Sequence, residues 1–333
     1  MEPHVGPTPL RSAPEPDAAR AERRRDRPYD ARAARNYLLA RLIKGVGTAF
    51  RLMPFGVAVG IGARLGGCAY RVLGRERRRA LRHLGMAFPA TAPATRARIA
   101  REAFRNAGRS FAELARWGYV KERLAERITL EGTEHVRQGL AMGRGLVAVT
   151  GHIGNWELLA ATFAQLGYPL YVVARRVNDD RFDALIDAFR RAAGVRVIRR
   201  DDPLALREVV RALRAGGLVA LLVDQDTRGP GVYVPFFGHL AHTSPGAAII
   251  ALRTHAPVVG AFIQRRAHGH HVRIEPLYGL QPAPGRRPSV EELTARITAS
   301  IEEQIRRSPG EWVWWHRRWR RQPPPGLRLD RSA

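Results

Sequence analysis

The chain has 333 residues, and 45% of them are hydrophobic, which is enough to bury the core of an ordinary globular domain. Its 56 Lys and Arg residues outnumber 30 Asp and Glu residues, and the formal net charge of +26 favours nucleic acid, anionic lipid headgroups or an acidic protein as partners. Cys68 is the only cysteine, which excludes an intrachain disulfide and a cysteine-based zinc site.

Two segments are predicted before residue 75. Residues 1–35 are rich in Pro, Ala and Arg and lack an apolar core, which predicts a disordered basic tail and not a secretory signal peptide. Residues 36–74 are the most apolar region, but their longest uncharged run, Leu52 to Ala63, is shorter than the roughly 20 residues that a spanning helix needs. We therefore expect a membrane-associating helical segment that lies in one leaflet; an ordinary hairpin of two core helices is the alternative.

The rest of the chain predicts an α/β fold. Residues 75–128 are rich in helix-forming residues, and from residue 130 short apolar strands alternate with amphipathic helices. This order predicts a central sheet, mostly parallel or mixed, with helices on both faces. The predicted strands are 145–150, 170–174, 195–198, 218–223, 258–263 and 271–276, and the predicted helices begin at residue 155 or span 181–193, 203–215 and 246–254.

One segment carries the residue types of acyl transfer. A predicted strand ends directly in Gly151-His152-Ile153-Gly154-Asn155-Trp156-Glu157, so His152 lies at the carboxyl end of a strand, where α/β enzymes collect their catalytic groups. A neutral imidazole can take a proton from a hydroxyl nucleophile, and a carboxylate on its other ring nitrogen fixes the tautomer. The bend at the glycines lets Glu157 face His152. The spacing of His152 and Glu157 alone also recurs by chance.

Six motifs in order resemble the bacterial lipid A late acyltransferases, the lauroyl/myristoyl family that includes the phosphatidylinositol mannoside acyltransferases. The resemblance covers roughly residues 40–320, and one departure is His83, where the family usually has Asn. The motifs are H-x-G-N-W-E at 152–157, Arg175 after the next strand, D-Q-D at 224–226, VPFFG at 234–238, Thr243 with Pro245-Gly246, and the Trp-rich terminus at 308–319.

This resemblance implies a glycerophosphate-acyltransferase-like domain over residues 75–322, followed by a flexible tail at 323–333. It implies transfer from an acyl carrier protein thioester to a hydroxyl of a glycolipid, with no other cofactor and no metal, at the cytoplasmic face of the inner membrane. His152 is then the general base, Glu157 its orienting partner, and Arg175 the contact for acceptor phosphate or the forming oxyanion. The other implied substrate-binding residues are Asn155, Asp224, Asp226, Phe236 and Gly238.

Within this interpretation Asp224 and Asp226 position sugar hydroxyls or hold Arg175; a loop and helix-cap pair is the alternative. The basic surface suits an acidic acyl carrier protein and an anionic membrane. A direct ternary reaction without an acyl-enzyme is expected.

Two other functions remain open from the residues alone. A glycerophospholipid acyltransferase shares the His-x4-acid pattern, but Asp usually replaces Glu157 there and the Trp-rich terminus is missing. A basic nucleic-acid-binding protein would fit the charge and the aromatic residues interleaved with arginines at 312–321, yet no nucleic-acid motif is present and no such partner is expected. Those aromatics equally predict an aromatic belt at a membrane interface or simple packing in the core.

Three neighbouring histidines could suggest a metal site. A surface turn at Gly269 is the favoured interpretation of His268, His270 and His271.

Overall fold

The structure, a computed structural model, describes residues 31–176, 180–280 and 286–327. Most of the two predicted tails, residues 1–30 and 328–333, lies outside the described residues. The chain divides into two compact units, residues 1–44 and 45–333, and the boundary falls inside the first described helix.

In the described part of the chain, six helices precede the sheet, and those after residue 74 confirm the helical prediction for residues 75–128. Helix α2 begins directly after Pro54, and Pro93 occupies the first position of α4, where a missing N–H costs nothing. The six are α1 (Ala31–Leu52), α2 (Phe55–Val72), α3 (Gly74–Ala87), α4 (Pro93–Ala115), α5 (Trp117–Glu122) and α6 (Leu124–Arg127).

Helices α2 and α4 pack at backbone distance. A Cβ built on Gly66 would lie 2.1 Å from the carbonyl oxygen of Phe104, and one built on Gly108 would lie 2.0 Å from that of Gly62. Each glycine therefore lets the other helix approach closer than any side chain permits. A small cluster formed by Phe50, Ala58 and Ala112 is buried beside this contact.

We expect Gly66→Ala to lower the free energy of unfolding by about 2–3 kcal/mol, because the added methyl group meets backbone that cannot move aside. The matched control is Gly56→Ala in the same helix, where a Cβ meets nothing within 4 Å. That control should be neutral or gain up to about 1 kcal/mol of helix propensity. Chemical unfolding of both variants checks the prediction, and equal stability of the two would contradict it.

A seven-stranded sheet forms the centre of the fold, in the order β1-β9-β8-β2-β5-β3-β4. All neighbouring strands in it are parallel except β8 and β9, which form an antiparallel hairpin. The predicted mostly parallel or mixed sheet is confirmed. The strands are β1 (Ile128–Glu131), β2 (Leu146–Thr150), β3 (Leu170–Ala174), β4 (Arg196–Arg199), β5 (Leu218–Leu222), β8 (Val258–Arg266) and β9 (Gly269–Tyr278).

Helices cover both faces of the sheet, because alternate side chains of each strand enter different layers. In β2, Val147 and Val149 join one apolar cluster, while Leu146 and Ala148 join another on the opposite face. Strands buried on both faces read as continuous apolar runs, which explains why β2 and β5 could be predicted. The remaining helices are α7 (Thr133–Ala141), α8 (Trp156–Gln165), α9 (Asp180–Ala192), α10 (Ala205–Arg214), α11 (Gly246–Thr254) and α12 (Val290–Arg307).

A separate two-stranded hairpin was not predicted. Strands β6 (Val232–Phe236) and β7 (His239–Thr243) pair antiparallel outside the main sheet, and β6 lies against α12. Its two strands mix polar and apolar residues, and Pro235 lies within the first, so neither gives a clear strand signal.

Across residues 31–176, 180–280 and 286–327, every helix is too short or too polar to cross a bilayer. The first helices instead expose single apolar side chains. Leu52 is 84% exposed and Val72 is 80% exposed.

Candidate active site

The predicted site segments meet at one edge of the sheet. Strands β2 and β5 are parallel neighbours, and Thr150 pairs with Leu222 at their carboxyl ends. The loop 151–155 that follows β2 and the loop 223–226 that follows β5 therefore leave the sheet side by side. This is the edge at which parallel α/β sheets place their ligands.

Local backbone geometry presents His152. Gly154 adopts φ +61°, and a Cβ there would lie 2.1 Å from the carbonyl oxygen of Ile263, so only glycine allows the loop to press against β8. Asn155 then caps α8 by accepting a hydrogen bond from the backbone N–H of Leu158 at 3.2 Å. The loop is fixed at both sides of the bend that follows His152.

Asp224, and not Glu157, is the carboxylate that holds His152. The distance from His152 Nδ1 to Asp224 Oδ1 is 2.7 Å, and the backbone N–H of His152 donates to Asp224 Oδ2 at 2.8 Å. Trp312 Nε1–H donates to the same Oδ2 at 2.7 Å. An ionised carboxylate only accepts, so Nδ1 carries the proton and the Nε2 lone pair faces outward.

The Asp224 side chain is fully buried. Burial alone would raise the pKa of its carboxyl, but the positive charge that His152 can take up, the hydrogen bond from its ring and the Trp312 N–H hold that pKa well below its usual range. The carboxylate is therefore ionised at physiological pH, and it stabilises an imidazolium on His152.

Glu157 lies in a different environment from the predicted one. Its two carboxylate oxygens accept hydrogen bonds from Arg190 on α9, from Nε at 2.9 Å and from Nη2 at 2.6 Å. The prediction that Glu157 orients His152 therefore needs correction. The residue lies in the first turn of α8, which directs it toward α9, while the Nδ1 position of His152 is already filled by Asp224.

Two further side chains complete the centre and were not predicted. Gln225 places its amide nitrogen 3.1 Å from Nε2 of His152 and 3.1 Å from Nε2 of His316. The centroids of the two imidazole rings are 4.7 Å apart. Burial, with help from the charge of His152, lowers the pKa of His316 to about 3, so this second imidazole is neutral.

His316 and Trp312 come from the Trp-rich terminus, which packs into the core. Trp312 and Trp314 are both 0% exposed, and the backbone of Trp312 pairs with Ile153 in an antiparallel bridge. Core packing, one of the three predicted possibilities, is therefore the finding, and these two indoles are excluded from a nucleic-acid stacking surface. The atypical His83 is part of this packing, because its Nδ1 lies 2.9 Å from the carbonyl oxygen of Trp314.

The other predicted binding residues are spread around the centre. Arg175 follows β3 at the same edge of the sheet, is exposed, and makes no hydrogen bond or ion pair with other described residues. Asp226 is committed to His242, at 3.0 Å, and to Arg320, at 2.8 Å, which closes the C-terminal segment over β7. Neither Asp224 nor Asp226 holds Arg175.

Phe236 and Gly238 have structural positions. Phe236 is fully buried and its ring lies 5.8 Å from that of Trp312. Gly238 adopts φ +70° in the turn between β6 and β7. Both support the hairpin on which the C-terminal segment packs.

A buried polar network holds the loop from behind. Asn155 Nδ2 donates to Glu113 on α4 at 2.9 Å, and Glu113 also pairs with the guanidinium of Arg265. The backbone N–H of Arg265 donates to both carboxylate oxygens of Glu311, at 3.1 and 3.0 Å. Residues of α4, β8 and the C-terminal segment thus converge on the residues that follow His152.

Glu311 makes this network sensitive to pH. Burial raises the pKa of its carboxyl to about 7, although the Arg265 N–H and guanidinium oppose the shift. A raised folded-state pKa contributes stability that is complete below the usual pKa of 4.5 and is lost as pH rises through about 7. The loss amounts to up to about 3 kcal/mol.

We expect Glu311→Gln to be more stable than the wild type at pH 8 and equal to it at pH 4.5, because glutamine cannot ionise. Melting temperatures of both proteins across this range test the sign. Glu303→Gln, at a side chain that is 55% exposed, is the matched surface control. A stability difference that is the same at both pH values would contradict the assignment.

An apolar cleft lies beside the centre, between the sheet and α8. Its walls come from β2, β3, β5 and α8, with Leu159 and Phe163 among them, and the Glu157–Arg190 pair and Trp156 also line it. The ring of Trp156 lies 5.0 Å from that of His152.

Among the described residues, one group of side chains that could bind a metal ion also lies at this centre. Ligand atoms of His152, Asp224 and His316 all lie within 4.8 Å of one another. Of the three neighbouring histidines, His268 lies in the predicted turn between β8 and β9, whereas His270 and His271 belong to β9 and His270 is buried. His271 Nε2 lies 2.9 Å from a carboxylate oxygen of Glu131, and His270 faces Glu113.

Comparison with known sequences identifies the family. The model of the bacterial lipid A biosynthesis acyltransferases matches residues 30–321. The chain belongs to this acyltransferase family. The match extends from the first described helix to the Trp-rich terminus, so the family sequence includes every segment of the centre.

Three characterised relatives illustrate this membership. The family member described here is 27% identical to the lipid A biosynthesis lauroyltransferase of Escherichia coli, over 81% of this chain and 88% of the relative. It is 25% identical to the palmitoleoyltransferase of the same organism, over 81% and 87%. A phosphatidylinositol mannoside acyltransferase of Mycolicibacterium smegmatis is 25% identical over 59% of this chain and 64% of its own length.

Proposed function

We propose that this acyltransferase moves a fatty acyl group from an acyl carrier protein thioester to a hydroxyl of a glycolipid of the lipid A precursor type. The observation that carries the proposal is the His152–Asp224 pair, which directs an unprotonated Nε2 outward at the carboxyl edge of the sheet. Relatives whose names specify acyl transfer to lipid A or to a mannosylated phosphoinositide support the acceptor class.

The reaction needs only these groups. The acceptor hydroxyl donates its hydrogen bond to His152 Nε2, displacing the Gln225 amide, and its oxygen attacks the thioester carbonyl as the proton moves to Nε2. The tetrahedral intermediate then expels the carrier thiolate, which recovers the proton from the imidazolium. The products are an ester and a free thiol, without an acyl-enzyme. Asp224 stabilises the imidazolium throughout.

Charge stabilisation comes from the surrounding elements. The N-terminus of α8 begins four residues after His152, and a helix N-terminus favours the developing oxyanion. The exposed guanidinium of Arg175, two strands away at the same edge, suits a phosphate of the acceptor through paired hydrogen bonds. Arg175 is therefore assigned to acceptor binding.

The apolar cleft beside the centre suits the alkyl part of the transferred group, although it is narrow in this structure and must widen to admit a long chain. Trp156, next to His152, lines it together with Leu159 and Phe163. Burying an alkyl chain contributes about 0.8 kcal/mol for each methylene group. The depth of this cleft would then set the preferred chain length.

The donor and the location are inferred from charge and exposed apolar residues. A net charge of +26 attracts both an acidic carrier protein and anionic lipid, and the first helices expose leucines and valines near arginines. We assign the enzyme to the cytoplasmic face of the inner membrane, where both would be present. The acyl carrier protein thioester is the co-substrate, and no further cofactor is needed.

The assignment of roles at the centre is tested by three variants assayed with acyl carrier protein thioesters and glycolipid acceptors. We expect His152→Ala to abolish transfer. Asp224→Asn should lower kcat by on the order of 10³-fold with little change in KM, because the buried carboxylate fixes the imidazole but does not touch substrate.

The matched comparison is Glu157→Gln, which removes the charge from the Arg190 pair and leaves Asp224 in place. A smaller loss for Glu157→Gln than for Asp224→Asn supports the hydrogen bonds described above. If Glu157→Gln instead stops the reaction while Asp224→Asn is active, Glu157 is the partner of His152 during turnover. Wild-type rates in His152→Ala would disprove the mechanism.

A further inference from the structure

Two imidazole rings and a carboxylate meet at the centre, where ligand atoms of His152, Asp224 and His316 all lie within 4.8 Å of one another. One amide nitrogen, that of Gln225, lies 3.1 Å from Nε2 of His152 and 3.1 Å from Nε2 of His316. The same nitrogen lies 3.4 Å from Nδ1 of His152, so it sits over the face of that ring. Because His152 donates its Nδ1–H to Asp224, Nε2 is the nitrogen that it can offer to a cation.

The surroundings of these nitrogens suit a cation. A histidine that binds a metal through Nε2 usually donates its other N–H to a carboxylate, and Asp224 already occupies that position behind His152. The carboxylate is fully buried directly behind His152, where a carboxylate favours a nearby positive charge. Gln225, which separates the two nitrogens, is exposed and can swing out without leaving a buried gap.

We propose that His152 and His316, with Asp224 behind them, form a binding site for a divalent transition-metal cation of the Zn²⁺ class, and that the bound cation inhibits the enzyme. Two imidazole nitrogens select Zn²⁺, Co²⁺, Ni²⁺ or Cu²⁺ over Mg²⁺ and Ca²⁺, which prefer oxygen ligands. Water or a rotated Gln225 carbonyl completes the coordination. The cation takes the lone pair that would accept the substrate proton, so it acts as an inhibitor and not as a cofactor.

Metal binding can be measured without any substrate. The full chain in detergent, without a polyhistidine tag, is titrated with Co²⁺, whose visible absorption reports the coordination geometry, and Zn²⁺ is then used to displace it. We expect one tight equivalent in the wild type. Binding should weaken by at least about 10-fold in His152→Ala and in His316→Ala, and by about 10- to 100-fold in Asp224→Asn, which removes the outer carboxylate.

The matched control is His271→Ala, which removes a surface histidine that faces Glu131. It should leave the Co²⁺ spectrum and affinity unchanged. Gln225→Ala should bind at least as tightly as the wild type, because the amide no longer competes. Loss of the signal in His271→Ala, or full binding in both His152→Ala and His316→Ala, would overturn the site. Circular dichroism of each variant separates loss of the site from unfolding.

The inhibitory effect is tested separately, in the acyl-transfer assay. Zn²⁺ should inhibit the wild type, EDTA should restore the rate, and Mg²⁺ at the same concentration should have no effect. Metal binding without inhibition would refute the inhibitory role. Metal binding in a protein that transfers no acyl group would leave the site standing and would refute the proposed function instead, so the two failures are distinguishable.

Discussion

The centre depends on one buried carboxylate. Removing an ionised carboxylate from water costs several kcal/mol, and Asp224 offsets that cost with donors from the His152 backbone, the His152 ring and the Trp312 indole. These donors come from the loop after β2 and from the C-terminal segment, while Asp224 itself follows β5. Three distant parts of the chain must therefore be folded before the carboxylate has all its hydrogen-bond donors. The Trp-rich terminus, which supplies Trp312, is thus part of the site.

A second network extends this constraint to the N-terminal helices. Helix α4 uses Asn106 and Glu113 to hold the residues that follow His152, and it uses Gly108 to pack against α2. Glycine contacts at backbone distance leave little freedom to slide, because any shift brings main-chain atoms into collision. The contact with α2 thus helps to fix the orientation of α4 relative to the loop.

The sequence predicted the sheet and its covering helices better than it predicted which side chains contact one another in the active site. Strands β2, β3 and β5 are short runs that are almost entirely apolar, as expected for strands covered on both faces. His152 was found because it ends such a strand. Glu157 was predicted as its partner because the two residues are only five positions apart, and spacing in the sequence can suggest only such local pairs.

The true contact of His152, with Asp224, spans 72 residues and exists because β2 and β5 are neighbours, which the sequence does not state. His316 follows the last helix in a segment without periodicity. The resemblance placed this histidine inside a motif but gave it no role.

Gln225 explains how a centre so tightly connected can still react. The exposed Gln225 amide covers the Nε2 atoms of both imidazoles at 3.1 Å, and a substrate hydroxyl can take its place beside His152. Such exchanges change the free energy by only about 1 kcal/mol, whereas leaving a lone pair buried and unsatisfied costs more. Asp224 therefore keeps the base in the required tautomer and orientation, while the Gln225 contact remains easy to displace. The same displaceable amide makes the point between the imidazoles accessible to a metal cation.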